Sequence, residues 1–145
     1  MAGVTSARIT VDDDASRLDM DVVHDFLSRS YWAAGIPREV VERAVRNSLC
    51  FGAYEDGRQV GFARVVTDRA TFAYLADVFV LESHRRRGIS KRLVAEALGH
   101  PDLRGLRRWV LVTRDAQGLY GQFGFKPLRD PERFMELHDP EVYKR

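Results

Sequence analysis

The run Arg85-Arg86-Arg87-Gly88-Ile89-Ser90 sits between an apolar strand pattern and an amphipathic helix pattern. A basic turn feeding a helix start presents unpaired backbone N–H groups and the positive end of a helix dipole, which suits a phosphate or pyrophosphate. Neither G-x-x-x-x-G-K-[ST] nor G-x-G-x-x-G is present, so the P-loop and the dinucleotide fingerprint do not apply. Upstream, Asp77 is the only carboxylate inside the longest strand pattern. Burying an unpaired carboxylate is unfavourable, so Asp77 needs a partner such as Arg64 or His24, or else a raised pKa. Cys50 lies in another strand pattern with no His/Asp arrangement beside it, which argues against a thiol nucleophile.

What remains of the basic turn is R-x-x-G-x-S. With Val78-Phe79-Val80 before it and a helix through Leu93 after it, this segment resembles the acetyl-coenzyme A signature of the GNAT N-acetyltransferase superfamily, [R/Q]-x-x-G-x-[G/A]. Ser90 stands where glycine or alanine is usual and is similarly small. A second segment, Ala116-Gln117-Gly118-Leu119-Tyr120-Gly121-Gln122-Phe123-Gly124-Phe125, resembles the family's later A-x-x-L-Y-x-x-x-G-F. The two motifs occur in the family's order. The resemblance covers about residues 50–128, and the first 48 residues match only in outline.

The resemblance implies acetyl transfer from acetyl-CoA, as co-substrate, to a primary amine of a small molecule or peptide, by direct attack on the thioester and without a metal. The acyl arm would lie along the main chain of Val78, Phe79 and Val80. The pyrophosphate would rest on the amides of Arg86, Arg87, Gly88, Ile89 and Ser90, with Arg85, Arg86, Arg87 or Lys91 neutralising its charge. Tyr120 becomes the catalytic proton donor, because a phenol with pKa near ~10 can protonate a leaving thiolate whose conjugate acid lies near ~8.5. Asp77 then reads either as the general base for the amine or as an ion-paired anchor. Thr113 is a further coenzyme contact, with strand-end hydrogen bonding as the alternative. Tyr31 and Trp32 either line an acceptor pocket or belong to the core. The opposing functional reading is a non-catalytic acyl-CoA-binding sensor or interaction module with the same fold. Among relatives, pairing into a homodimer through the late strands is common.

The elements that must position these groups follow from hydrophobic period and turn residues. Ala7–Val11 reads as a first strand, followed by helical spacing over Met20–Ala33 and Pro37–Ser48 with Gly35 between them. Residues 49–55 and 59–66 read as strands joined by Glu55-Asp56-Gly57-Arg58. Phe72–Leu81 carries two apolar alternating sets, as a strand covered on both faces requires. Ile89, Leu93, Val94, Ala97 and Leu98 form one helical stripe that stops at Gly99 and Pro101. A strand over Arg108–Thr113, a short helix over Gly118–Gln122 and a final strand pair from Phe125–Leu128 and Phe134–Leu137 complete the pattern. The fold class expected is α/β, a mixed central sheet flanked by helices and similar to the GNAT acyltransferase fold, in a single domain over residues 1–145.

Composition sets the outer bounds. The 145 residues are 45% hydrophobic and 30% charged, with a formal net charge of +2, ordinary for one soluble globular domain. A single cysteine and no leader-like start suggest a reducing, cytoplasmic location. No apolar run approaches the roughly 18 residues of a membrane span. Arg92, Arg104, Arg107 and Arg108 add to the positive surface, but no recognition helix or aromatic stacking pattern accompanies them, so neither nucleic acid nor membrane is expected as a partner.

Overall fold

The computed structural model describes residues 8–144, within two compact units, Met1–Val112 and Thr113–Arg145. The first unit is a five-stranded sheet of β1 (Ile9–Asp12), β2 (Leu49–Glu55), β3 (Arg58–Thr67), β4 (Phe72–Val80) and β5 (Arg108–Leu111), with α1 (Met20–Arg29), α2 (Arg38–Arg46) and α3 (Ile89–Leu98). The strands lie in chain order, antiparallel except for the parallel β4–β5 pair. The mixed sheet expected from sequence is therefore present. Of the first expected strand, Ala7 lies outside the described residues.

Local chemistry explains the boundaries. The Asp19 carboxylate caps α1 by accepting from the amides of Asp21 and Val22, and the buried Gln59 ties that helix start to β3 by accepting from the Asp19 N–H. At the other end α1 stops at Arg29, short of the expected Ala33. The Ser30 hydroxyl donates to the Leu27 carbonyl and accepts from the Ala33 N–H, so local side-chain bonds replace the next helical turn. Tyr31 and Trp32 are thereby released from the helix into the following turn, where both are exposed. Asp56 and Gly57 both have positive φ, at 49° and 84°, the requirement of a two-residue I′ hairpin.

The sheet has two different covers. Ile89, Leu93, Val94 and Ala97 of α3 are buried, and Leu93 lies so close to Gly61 that a Cβ there would come within 3.2 Å of it. On the opposite face, Phe26 of α1 stacks on Phe79 of β4, with ring centroids 4.0 Å apart and planes 7° apart. The simple alternation expected along Phe72–Leu81 is corrected by a β-bulge. Arg64 pairs with Ala76 and Phe62 with Phe79, so two β4 residues, Asp77 and Val78, oppose Ala63 alone. Before the bulge Ala73 and Leu75 share the face of Val65 and Thr67; after it Phe79 shares the face of Phe62, toward α1, and Val80 that of Gly61, toward α3.

In the second unit α4 spans Gln117–Gly121. The strand pair expected from Phe125–Leu128 and Phe134–Leu137 does not form among the described residues. Pro127 cannot donate to a ladder, and Phe134, Met135 and Leu137 are exposed rather than alternately buried. No described helix is long and apolar enough to cross a membrane.

Candidate active site

The bulge sets the geometry of β4. β5 pairs only with Phe72–Leu75, so among the described residues one edge of β4 has no strand partner in the sheet along Ala76–Val80. Unpaired strand edges accept an extended ligand as an added strand, and this stretch contains Val78, Phe79 and Val80.

Asp77 is the bulged residue and adopts the left-handed region with φ 54°, a conformation that Asp and Asn tolerate better than most side chains. Both of its carboxylate oxygens are engaged. Oδ1 accepts from the Trp32 indole N–H at 2.8 Å, and Oδ2 accepts from Arg64 Nε at 2.8 Å. Arg64 also donates to Ser48 Oγ at 3.1 Å. The side chains of Arg64 and Asp77 retain only 19% and 12% of their exposure, so the pair is largely withdrawn from water. Of the two partners named from sequence, Arg64 is realised; His24 instead faces the Ile36 carbonyl.

From Val80 the chain passes through Glu82–His84 into the basic turn. Gly88 is the N-cap of α3, with φ 73° and no side chain to satisfy the first amides. A Cβ at Gly88 would meet nothing within 4 Å, so the demand for glycine is conformational rather than steric. Arg86 is also left-handed, with φ 67°. The arginines are not equivalent: Arg85 donates to the Val80 carbonyl at 3.4 Å, Arg87 pairs with Glu55 at 2.6 Å, and Arg92 donates to the Ile9 carbonyl at 2.7 Å. Among the described residues Arg86 and Lys91 make no side-chain hydrogen bond or ion pair. An open cleft beside the start of α1 is lined by Arg17–Val22, Arg38 and Gly57–Gln59 and shares no residue with β4 or this turn.

A profile of the acetyltransferase (GNAT) domain matches residues 46–127, more than half of the chain and all of the strand–turn–helix just described. The chain belongs to the GNAT acetyltransferase family. It is similar to a crystal structure from Xanthomonas campestris pv. campestris assigned to that family, at 51% identity and TM-score 0.92, covering 95% of this chain and 98% of that one. It is 33% identical to a Gibberella zeae protein assigned as an acetyltransferase, over 83% of this chain and 80% of that protein. An acetyltransferase-assigned crystal structure from Clostridium acetobutylicum, determined with acetyl-CoA, shares the fold at 14% identity and TM-score 0.67, over 90% of this chain and 96% of that one.

As a GNAT acetyltransferase the chain is an acyl-transferring enzyme whose family reaction takes acetyl from acetyl-CoA. Within its first unit the fold brings together Asp77, Val78–Val80 and Arg85–Lys91. Tyr120 belongs to the second unit, on α4, where its ring meets Phe125 edge-on at 6.0 Å. Thr113 Oγ1 accepts from the Ala116 N–H at 3.0 Å and so serves the start of α4. Cys50 is buried, and loss of solvation pushes its thiol up to about 12, which removes thiolate character. No cluster of His, Cys, Asp or Glu suited to a metal occurs among the described residues. Two site residues escaped the sequence reading, Glu55 and Ser48. Neither lies in a motif, and both are defined only by which strand ends meet.

Proposed function

We propose that this GNAT enzyme transfers acetyl from acetyl-CoA to a primary amine of a small molecule or peptide, by direct attack and without an acyl-enzyme. The observation that carries the reading is the continuity of two features: the unpartnered edge of β4 over Ala76–Val80, and the uncapped glycine start of α3 eight residues beyond. An extended thioester arm can hydrogen-bond along the first while its pyrophosphate meets the amides of the second. Arg86 and Lys91 supply charge to the phosphates, Arg85 and Arg87 being tied to Val80 and Glu55.

The amine nitrogen attacks the thioester carbonyl, the carbon–sulfur bond breaks, and the thiolate leaves with a proton. We assign that proton to Tyr120, on the strength of its place in the L-Y-x-x-x-G-F segment. Asp77 acts as the anchor of the bulge: both of its oxygens already accept hydrogen bonds, from Trp32 and from the Arg64 guanidinium, and the amine loses its proton to solvent. The whole chain, 1–145, works as one acetyltransferase domain.

The test is thiol release from acetyl-CoA across a panel of amines. Amine-dependent release supports the enzyme, whereas acetyl-CoA binding with no release from any amine supports a sensor. Replacing Tyr120 with Phe should lower kcat by about 10²-fold or more while leaving acetyl-CoA affinity within about twofold; unchanged kcat removes the proton-donor role.

A further inference from the structure

β2 and β4 both run antiparallel to β3, so their C-terminal ends emerge at the same end of the sheet. The hairpin at Asp56-Gly57 fixes Glu55 opposite Arg58, and on its other side Glu55 pairs with Ile9 of β1. From there the Glu55 carboxylate reaches the basic turn and grips it at two points. Oε1 accepts from His84 Nε2 at 3.1 Å, and Oε2 accepts from Arg87 at 2.6 Å. His84 is held on its other nitrogen as well, with Nδ1 2.7 Å from Ser83 Oγ. Its main chain donates to Leu81, whose own amide donates to Val60 of β3. Hydrogen bonds from His84 first, and then from Arg87, keep the Glu55 carboxyl below the usual carboxylate range.

Between the two gripped residues lies Arg86, a non-glycine residue in the left-handed region. Such a conformation persists only where the surroundings over-determine it, and here one carboxylate fixes His84 on its upstream side and Arg87 on its downstream side. We propose that Glu55 is a positioning residue for the acyl donor, holding the 84–88 turn in the shape that receives the pyrophosphate. This rests on the reading that the turn takes the phosphates of acetyl-CoA.

Charge alone predicts the opposite effect. A carboxylate beside an anion site repels the ligand, so removing it should tighten binding, most strongly at low salt. Positioning predicts weaker binding. In calorimetric titration of the whole protein with acetyl-CoA, Glu55→Gln should raise Kd roughly tenfold, the loss expected from one charge-assisted hydrogen bond, and Glu55→Ala should raise it further. KM for acetyl-CoA should rise in parallel with kcat within about twofold, and the loss should persist at about 0.5 M salt, where charge effects are screened. Circular dichroism melts identify any variant that fails to fold; Glu55→Gln keeps the length and one acceptor and is the variant that decides. Equal or tighter binding by Glu55→Gln overturns the proposal. Absence of acetyl-CoA binding by the unaltered protein would instead remove the functional reading on which it rests.

Discussion

The Arg64–Asp77 pair offers a quantitative test of what the bulge needs. Breaking a buried ion pair costs about 3–5 kcal/mol, mostly because one charge is left without a partner. The residual exposures of 19% and 12% reduce this, and about 2–3 kcal/mol is expected for Arg64 facing a neutral side chain. Asp77→Asn keeps an acceptor for Trp32 and tolerates φ 54°, so it should cost only that pair term. Asp77→Ala should cost about 1 kcal/mol more for the left-handed backbone. Arg64→Met strands the carboxylate instead, at about 2 kcal/mol. In the double variant Arg64→Met/Asp77→Asn no charge is left unpaired, so its cost should fall short of the sum by about 1.5–2 kcal/mol. Urea denaturation at neutral pH measures all four, with unchanged m-values as the control. Additivity within about 0.5 kcal/mol would show that the two groups do not act as a pair. Loss of turnover in Asp77→Asn at full stability, with a missing acidic limb in the pH–rate profile, would make Asp77 the general base and refute the anchor.

Three other expectations follow from the backbone and the core. Gly88→Ala should destabilise by about 1 kcal/mol, since only φ and not space resists the methyl group; a urea midpoint equal to that of the unaltered protein would contradict this. Gly52→Ala places a Cβ 2.3 Å from the Tyr54 hydroxyl and 2.6 Å from Cζ, so it should cost about 2–3 kcal/mol by overpacking. Shrinking Tyr54 to Leu in the same chain should recover part of that loss, and strict additivity in denaturation would exclude the clash. Finally, burial first, and then Asp12, pushes the Tyr54 phenol up to about 12. Its folded pKa is raised, so the contribution is complete below about pH 10 and is lost as pH climbs to 12. Tyr54→Phe should therefore flatten the alkaline fall in stability over that window, and an identical fall would refute the assignment.

Features governed by neighbours along the chain were legible in sequence. The Asp56-Gly57 turn, the apolar stripe of α3 and the glycine at its start each follow from residue chemistry within a few positions. The basic turn and the glycine that opens α3 were legible, but the different partners of its arginines were not, because Glu55 lies more than thirty residues before Arg87. The end of α1 at Ser30 was missed since its apolar period continues through Trp32 and Ala33, while a hydroxyl decides the boundary. Alternation along β4 concealed the bulge: both sets are apolar, so a change of face leaves no mark in the pattern. Asp77 was the only sign. The late apolar residues imitate strands in sequence, but Pro127 lacks a ladder donor and Phe134, Met135 and Leu137 have no covered face to alternate against.

The extra residue in β4 works as a half-period delay. Upstream of it even numbers look toward α1; downstream Phe79 does, having exchanged sides with Val80. Dropping one residue from this stretch would cancel the delay, turning Phe79 away from Phe26 and swinging Val80 out of the α3 layer. This part of the strand can therefore change its letters far more readily than its length.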